Sequence, residues 1–448
     1  MPDDPFVIGS NRKIDPYRRR ISALDVLPDG SPNDYDRVEI GPSDLAFEEW
    51  QAAGLTIPNL VAIREYRLQR LVDAIRERDY AGVLMFDPLN IRYATDSTNM
   101  QLWVTHNPCR ACLVLADGYM VLWDFHSCDH LSAHLPLVRE IRHGADFFYF
   151  DAGDRAAERA KKFAAEIDSI LRERVGENRR LGVDRIELVG AWALEEIGID
   201  LFEGQELTEH ARKVKSQEEL HAMRCAIHAC EASMDAMRAM VRPGITEVDA
   251  WAELNRANHV RGGEWIETRI LSSGPRTNPW FQEAGPRVLK DNEIFAFDTD
   301  MVGAYGICTD LSRTWWIGDG RPSDEAREAY QVGYEHIMTN MQLLKPGVSF
   351  HDLMEGGHRL PEKYRDLRYG VKFHGVGLCD EYPAIFYPED WEAVGYDGHL
   401  EVGQCICVEV YAGAVGGSCG VKLEDQVVVT EDGFENLTSY PFDDDFLN

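Results

Sequence analysis

The sequence predicts a two-domain α/β protein, an α/β layer domain followed by an α+β catalytic domain. Three observations carry that expectation. A length of 448 residues exceeds what one hydrophobic core comfortably serves. Between residues 60 and 205, apolar β-type runs alternate with amphipathic helical stretches. Beyond residue 265 short strands dominate, and several hold an acid in their interior.

Residues 1–55 are polar and punctuated by Pro, Gly and Asp, as in LPDGSPNDYD, and read as an N-terminal arm. The first domain is expected over residues 56–205. It opens with a helix through LVDAIRERDYA and continues in the apolar runs GVLMFDPLNIRYAT and ACLVLADGYMVLWDF. Ala116-Asp117-Gly118 splits the second run as a hairpin turn. His126, His130 and His134 follow at four-residue spacing, which on a helix would stack them on one solvated face. A charged helix near RAAERAKKFAAEIDSILRER and a strand around RLGVDRI complete the domain.

The second domain is expected over residues 206–448. Ser216 with Glu219 forms a capping box. Leu220, Met223, Ile227, Cys230, Met234, Met237 and Val241 then make a continuous apolar stripe, which reads as core. Pro243-Gly244 ends that helix and Thr246 caps the next. The strand-rich remainder is interrupted by a helix at DEAREAYQVGYEHIMTNMQLL.

Composition excludes several classes. A formal charge of −31 repels nucleic acid and anionic membranes. A solvated or salt-adapted surface explains it better than a cationic ligand does. No apolar run approaches the ~18 residues of a membrane span, and the start, MPDDPFVIGSNRK, lacks secretory features, so a cytoplasmic location is expected. Ten cysteines, including the pair Cys109 and Cys112 and the pair Cys405 and Cys407, read as buried reduced thiols.

The chemistry concentrates in five acids and one imidazole: Asp298 and Asp300 in FAFDTD, Asp310 in CTDLSRT, His374 in FHGVG, Glu409 in CVEVY and Glu424 in KLEDQ. Two apart on a strand, Asp298 and Asp300 share a face. A turn near Tyr305 would set Asp300 opposite Asp310. Any one aspartate alone reads as a turn or cap residue. Glu409 and Glu424, however, stand in apolar strands with lysines scarce around them, and clustered buried acids need cations. Oxygen ligands with one imidazole suit hard or borderline divalent metals.

These motifs, with GVKLEDQVVVTEDGFENLT and the linker ARKVKSQEELHAMRCA, resemble the pita-bread metallopeptidase superfamily of methionine aminopeptidase, prolidase, aminopeptidase P and creatinase, over roughly residues 60–445. The resemblance implies a creatinase-like first domain and a pita-bread catalytic domain. By that resemblance Asp310, His374, Glu409 and Glu424 would be metal ligands, with Glu424 bridging two ions. Asp298 and Asp300 join the set on the reading of the residues themselves, and the peptidases place their first aspartate at the position between them, here Thr299. Two departures bear on activity. The peptidases carry a histidine in the HExP motif after HGxG, where this chain reads HGVGLCDEYP with Asp380. They carry another upstream, where SSGPRTNPWFQEAG offers Trp280.

Paired aspartates with an acid in place of that histidine resemble the superfamily branch that cleaves dimethylsulfoniopropionate. That resemblance implies a cytoplasmic carbon–sulfur lyase releasing dimethyl sulfide and acrylate. It implies two divalent ions, iron foremost with zinc, manganese or cobalt compatible. Asp380, taken to lie in an enclosed apolar pocket, is the candidate base for the α-proton. Trp280, Tyr369 and Tyr382 are candidate rings for the sulfonium, with Trp103 supplied across a homodimer. The alternatives are an Xaa-Pro metallopeptidase, a creatinase-like hydrolase, and a non-catalytic binding module.

Overall fold

A computed structural model describes residues 7–8, 12–13, 26–31 and 40–448. Two compact units emerge, Met1–Glu39 with Pro58–Arg212, and Ile40–Ile57 with Lys213–Asn448. The expected arm over residues 1–55 lies mostly outside the described residues. Its described end forms the helix Asp44–Ala52, which belongs to the second unit.

In the first unit a mixed sheet runs, from one edge, Arg12–Lys13, Val7–Ile8, Glu140–Arg142, Met120–Trp123, Ala111–Leu115, Gly82–Met85, Arg180–Val183 and Asp200–Glu203. Gly118, at φ 84°, closes the hairpin between Ala111–Leu115 and Met120–Trp123. The helix Ala156–Arg174 buries Phe163, Ile167 and Leu171 in the core with Leu84, Leu113 and Val121. The expected histidine helix is absent. Residues 124–139 are irregular apart from a short 3₁₀ turn at Asp129–Leu131, and His126 packs on Phe125 with ring centroids 4.2 Å apart.

In the second unit both capping boxes form, opening the helices Gln217–Met240 and Glu247–His259. A wholly antiparallel sheet runs Leu271–Ser273, Glu293–Asp298, Ser312–Ile317, Gly420–Thr430, Cys405–Gly413, Phe373–Val376 and Asp380–Ile385. Its two long strands explain the site. Val408, Val410, Val421 and Leu423 pack on the helix Asp324–Met341 through Ala329, Tyr330 and Ile337. Period-two alternation then sends Cys407, Glu409 and Tyr411, with Lys422, Glu424 and Gln426, to the other face. Among the described residues, no helix is long and apolar enough to cross a membrane.

Candidate metal centre

One row across this sheet carries most of the acids. Asp298 pairs with Ser312, Ser312 with Glu424, and Glu424 with Glu409. His374 pairs with Cys407, two positions along from Glu409 and on the same face. The turn centres on Tyr305, at φ 66°, whose ring packs on Trp50 of the helix Asp44–Ala52. Met301 pairs with Thr309 in the register that pairs Asp298 with Ser312, so Asp300 and Asp310 share one register position. One expectation needs correction. Asp300 reaches the cluster through a left-handed backbone at φ 37°, beyond the end of the strand, and not by strand alternation. An aspartate tolerates that conformation better than a bulky residue does.

Ligand atoms of Asp310, His374, Cys407 and Glu424 lie within 4.8 Å of one another, and so do those of Asp298, Asp300 and Asp310. Asp310 is common to both groups. The Glu409 carboxylate adjoins the first group, with Oε1 3.4 Å from His374 Nε2. The donor set fits metal ions on a direct observation: Asp310 Oδ1 and Glu409 Oε1 are buried and accept no hydrogen bond. His374 Nδ1 lies 3.0 Å from the Gly375 carbonyl, to which it donates. That leaves Nε2 facing Asp310, Glu409 and Glu424 at 3.3–3.4 Å, the arrangement that orients a ligating imidazole.

The electrostatics describe crowded, uncompensated acids. Burial, then repulsion from neighbouring carboxylates, holds Asp300 and Asp310 well above the usual carboxylate range. Burial likewise raises Glu409, against the pull of Lys422. For Glu424 burial is outweighed by Lys422 and His374, and the carboxyl is held low. Burial alone would lower His374, but Asp380, Asp310 and Glu424 hold it well above its usual value. Asp298, Asp300, Asp310, His374, Glu409 and Glu424 would hold divalent ions, which would supply positive charge to this cluster.

The expected scarcity of lysine around the acids is wrong. Lys422 is fully buried, with Nζ 2.6 Å from Glu424 Oε2, 2.9 Å from Glu409 Oε2 and 3.1 Å from Asp298 Oδ2. It stands two residues before Glu424, so strand parity could have found it. Ser312 also went unnoticed; its Oγ lies 2.7 Å from Asp298 Oδ1 and 2.9 Å from Glu424 Oε2. Thr268, which donates to Asp300 Oδ2, gave no sequence signal.

Asp380 begins the strand Asp380–Ile385, with Oδ1 3.7 Å from His374 Nδ1. Its side chain is 60 % exposed, so it sits at a mouth and not in the enclosed apolar pocket expected for it. Partial desolvation still raises its pKa, with His374 pulling the other way. Tyr369 and Trp280 share one apolar cluster with Tyr411, and Trp280 stacks on Tyr411 at 5.8 Å. Lys422 Nζ lies 4.5 Å from the Tyr369 ring centroid, so a face of this ring is turned toward a cation beside the carboxylates. Phe281 stacks on Tyr369 at 5.3 Å, a contact the sequence did not suggest. Tyr382 instead packs on Phe350 and Tyr396, and Trp103 on Phe125 and Phe148 in the first unit.

The model of metallopeptidase family M24 matches residues 221–431. The dimethylsulfoniopropionate lyase DddP of Roseovarius nubinhibens is 55% identical over 440 residues, 97% of this chain and 98% of its own. The Roseobacter denitrificans lyase of the same name is also 55% identical, over 97% of each chain. Among solved structures, the Xaa-Pro dipeptidase from Bacillus anthracis superposes with a TM-score of 0.66 at 21% identity, covering 84% of this chain and 98% of that one. That likeness concerns the fold. The chain therefore belongs to metallopeptidase family M24, and within it to the group of the dimethylsulfoniopropionate lyases.

Proposed function

We infer that this protein is a metal-dependent carbon–sulfur lyase that converts dimethylsulfoniopropionate to dimethyl sulfide and acrylate by β-elimination. The observation that carries the reading is the identity of 55% with two such lyases over nearly the whole chain. The site agrees with it. An acid, Asp380, and an indole, Trp280, stand where peptidases of this fold are expected to place the imidazoles that handle an amide.

Two divalent ions, iron foremost, held by Asp298, Asp300, Asp310, His374, Glu409 and Glu424, would anchor the substrate carboxylate and acidify the adjacent C–H. Asp310, common to both groups of ligand atoms, and Glu424 would each hold both ions. Asp380 takes the α-proton on a carboxylate oxygen. The C–H electron pair becomes the new C=C bond, and dimethyl sulfide departs with the C–S pair. The mouth position of Asp380 suits a base that must meet an entering substrate and return its proton to water. A sulfonium accepts no hydrogen bond, so aromatic faces recognise it, at about 0.5–2 kcal/mol each. Tyr369 and Trp280 are the rings we assign first. Tyr382 is engaged with Phe350 and Tyr396, and a role for it is secondary.

A cytoplasmic location and a homodimer belong to the same proposal. All ten cysteines are free thiols, as a reducing compartment favours. Trp103 packs on Phe148, which stacks on Phe150; Phe150 and the chain neighbours Leu102 and Tyr149 are 73–79 % exposed, an apolar surface that suits pairing. The test is to incubate the metal-loaded protein with dimethylsulfoniopropionate and, separately, with Xaa-Pro dipeptides. Equimolar dimethyl sulfide and acrylate support the reading; dipeptide hydrolysis without sulfide overturns it.

A further inference from the structure

We propose that Lys422 is a built-in third cation of the metal centre, balancing its charge and aiming its carboxylates before the ions arrive. The inference rests on the metal-binding part of the proposed function and is independent of the lyase reaction.

The first argument is charge. Five ionised carboxylates in the ligand set carry five negative charges, and two divalent ions return four. The Lys422 ammonium, fully buried among them, supplies the fifth. A buried centre that ends neutral avoids the large cost of uncompensated charge in a low-dielectric interior.

The second argument is direction. Lys422 takes one oxygen from each of three acids: Oε2 of Glu409, Oε2 of Glu424 and Oδ2 of Asp298. Oε1 of Glu409 and Oε1 of Glu424 consequently face His374 Nε2, at 3.4 and 3.3 Å. Glu409 Oε1 accepts no hydrogen bond, so it is free for an ion. Glu409 and Glu424 are direct cross-strand partners, an arrangement that is repulsive for like charges. The ammonium joining their Oε2 atoms offsets that repulsion. Ser312 Oγ, 2.9 Å from Nζ, and the Tyr369 ring, 4.5 Å away, hold the ammonium in place.

Two consequences follow. Without metal, the Lys422 ammonium is compensation that no ion replaces, so losing it should cost most in the metal-free protein. With Lys422 gone, incoming ions meet a more negative site and should stabilise the fold by more than they stabilise wild type.

The experiment uses the full-length chain, stripped with a chelator and then reloaded with Mn²⁺. Melting temperature and bound metal per chain are measured for wild type, Lys422→Met, Lys422→Arg and the charge-compensated double variant Glu409→Gln/Lys422→Met. We expect metal-free Lys422→Met to melt at least about 5 °C below wild type. Mn²⁺ should raise its melting temperature by more than it raises that of wild type. Lys422→Arg should stay near wild type, and Glu409→Gln should recover part of the metal-free loss. A Lys422→Met loss of equal size with and without Mn²⁺, or one that Glu409→Gln leaves unrelieved, overturns the proposal. If metal-free Lys422→Met is insoluble, the double variant decides: soluble supports the proposal, insoluble overturns it. Failure of wild type to bind Mn²⁺ at all would instead count against the metal-binding reading.

Discussion

Asp380→Asn tests the proposed base. The substitution keeps the shape of the side chain and removes its capacity to take a proton. General base catalysis contributes about 10²–10⁴ in rate, or about 3–5 kcal/mol of barrier, and kcat should fall by that factor. The fold should be little changed. The side chain is 60 % exposed, and its 3.7 Å approach to His374 Nδ1 is too long for a hydrogen bond. A surface change of this kind costs within about 0.5 kcal/mol, and the metal content should match wild type because Asp380 is outside both groups of ligand atoms. The pH profile supplies an independent readout. The base works only when ionised, so activity falls as pH drops through its pKa. Desolvation raises that pKa, which sets the acid limb of the wild-type profile above the usual aspartate value of about 3.9. In Asp380→Asn the limb should vanish along with most of the rate. The assay is headspace dimethyl sulfide against pH, beside elemental analysis of the same preparation. A rate within about tenfold of wild type refutes the assignment of the base, and loss of metal would make Asp380 a ligand or a support for His374.

Two further changes test the surroundings of the centre. Tyr369→Leu removes the ring that already faces a cation; we expect KM for the sulfonium substrate to rise about 2–30-fold, from about 0.5–2 kcal/mol of lost cation–π attraction, with metal content unchanged by elemental analysis. Arg313→Met removes a buried guanidinium that donates to Asp425 Oδ1 at 2.7 Å, to the Glu424 carbonyl at 2.7 Å and to the Tyr440 carbonyl at 2.6 Å. The buried Asp425 would lose its ion partner, so denaturant unfolding should show a loss of about 3–5 kcal/mol.

What the sequence revealed, and what it hid, divides along physical lines. The capping box at Ser216 and the cap at Thr246 were legible because a helix start is a local event, and both form, Thr246 in a capping box with Asp249. The turn at Tyr305 was legible because a register follows from symmetry about its centre. Lys422 lies two positions from Glu424 and so on its face, but its contacts with Glu409 and Asp298 are made across strands. Ser312 and Thr268 were hidden in the same way. Each meets its carboxylate partners across strands or loops, and nothing in a local window marks such a contact. The exposure of Asp380 was missed because a neighbouring apolar sequence does not say where a hairpin ends. The three spaced histidines misled in the opposite sense, since their period suggested a helix that the irregular backbone of residues 124–139 does not form.

The long strands divide the labour of this domain between their two faces. Val408, Val410, Val421 and Leu423 fill the core under the helix Asp324–Met341, where each large apolar side chain contributes roughly 1.5–3 kcal/mol. The opposite face spends stability, placing Glu409 directly against Glu424 in a buried ladder. The first face and the Lys422 ammonium together offset that cost, which ties the acids to the scaffold. Asp380 is not tied in this way, because it opens an edge strand at an exposed position. Trp280 is tied, since it is buried and stacks on Tyr411 of a long strand. Substitution at Asp380 can change the reacting group without disturbing the ladder beneath. Reaction chemistry can therefore be altered at this exposed position while the carboxylate row stays in place, and the likeness at 21% identity to a dipeptidase concerns the fold and not the reaction.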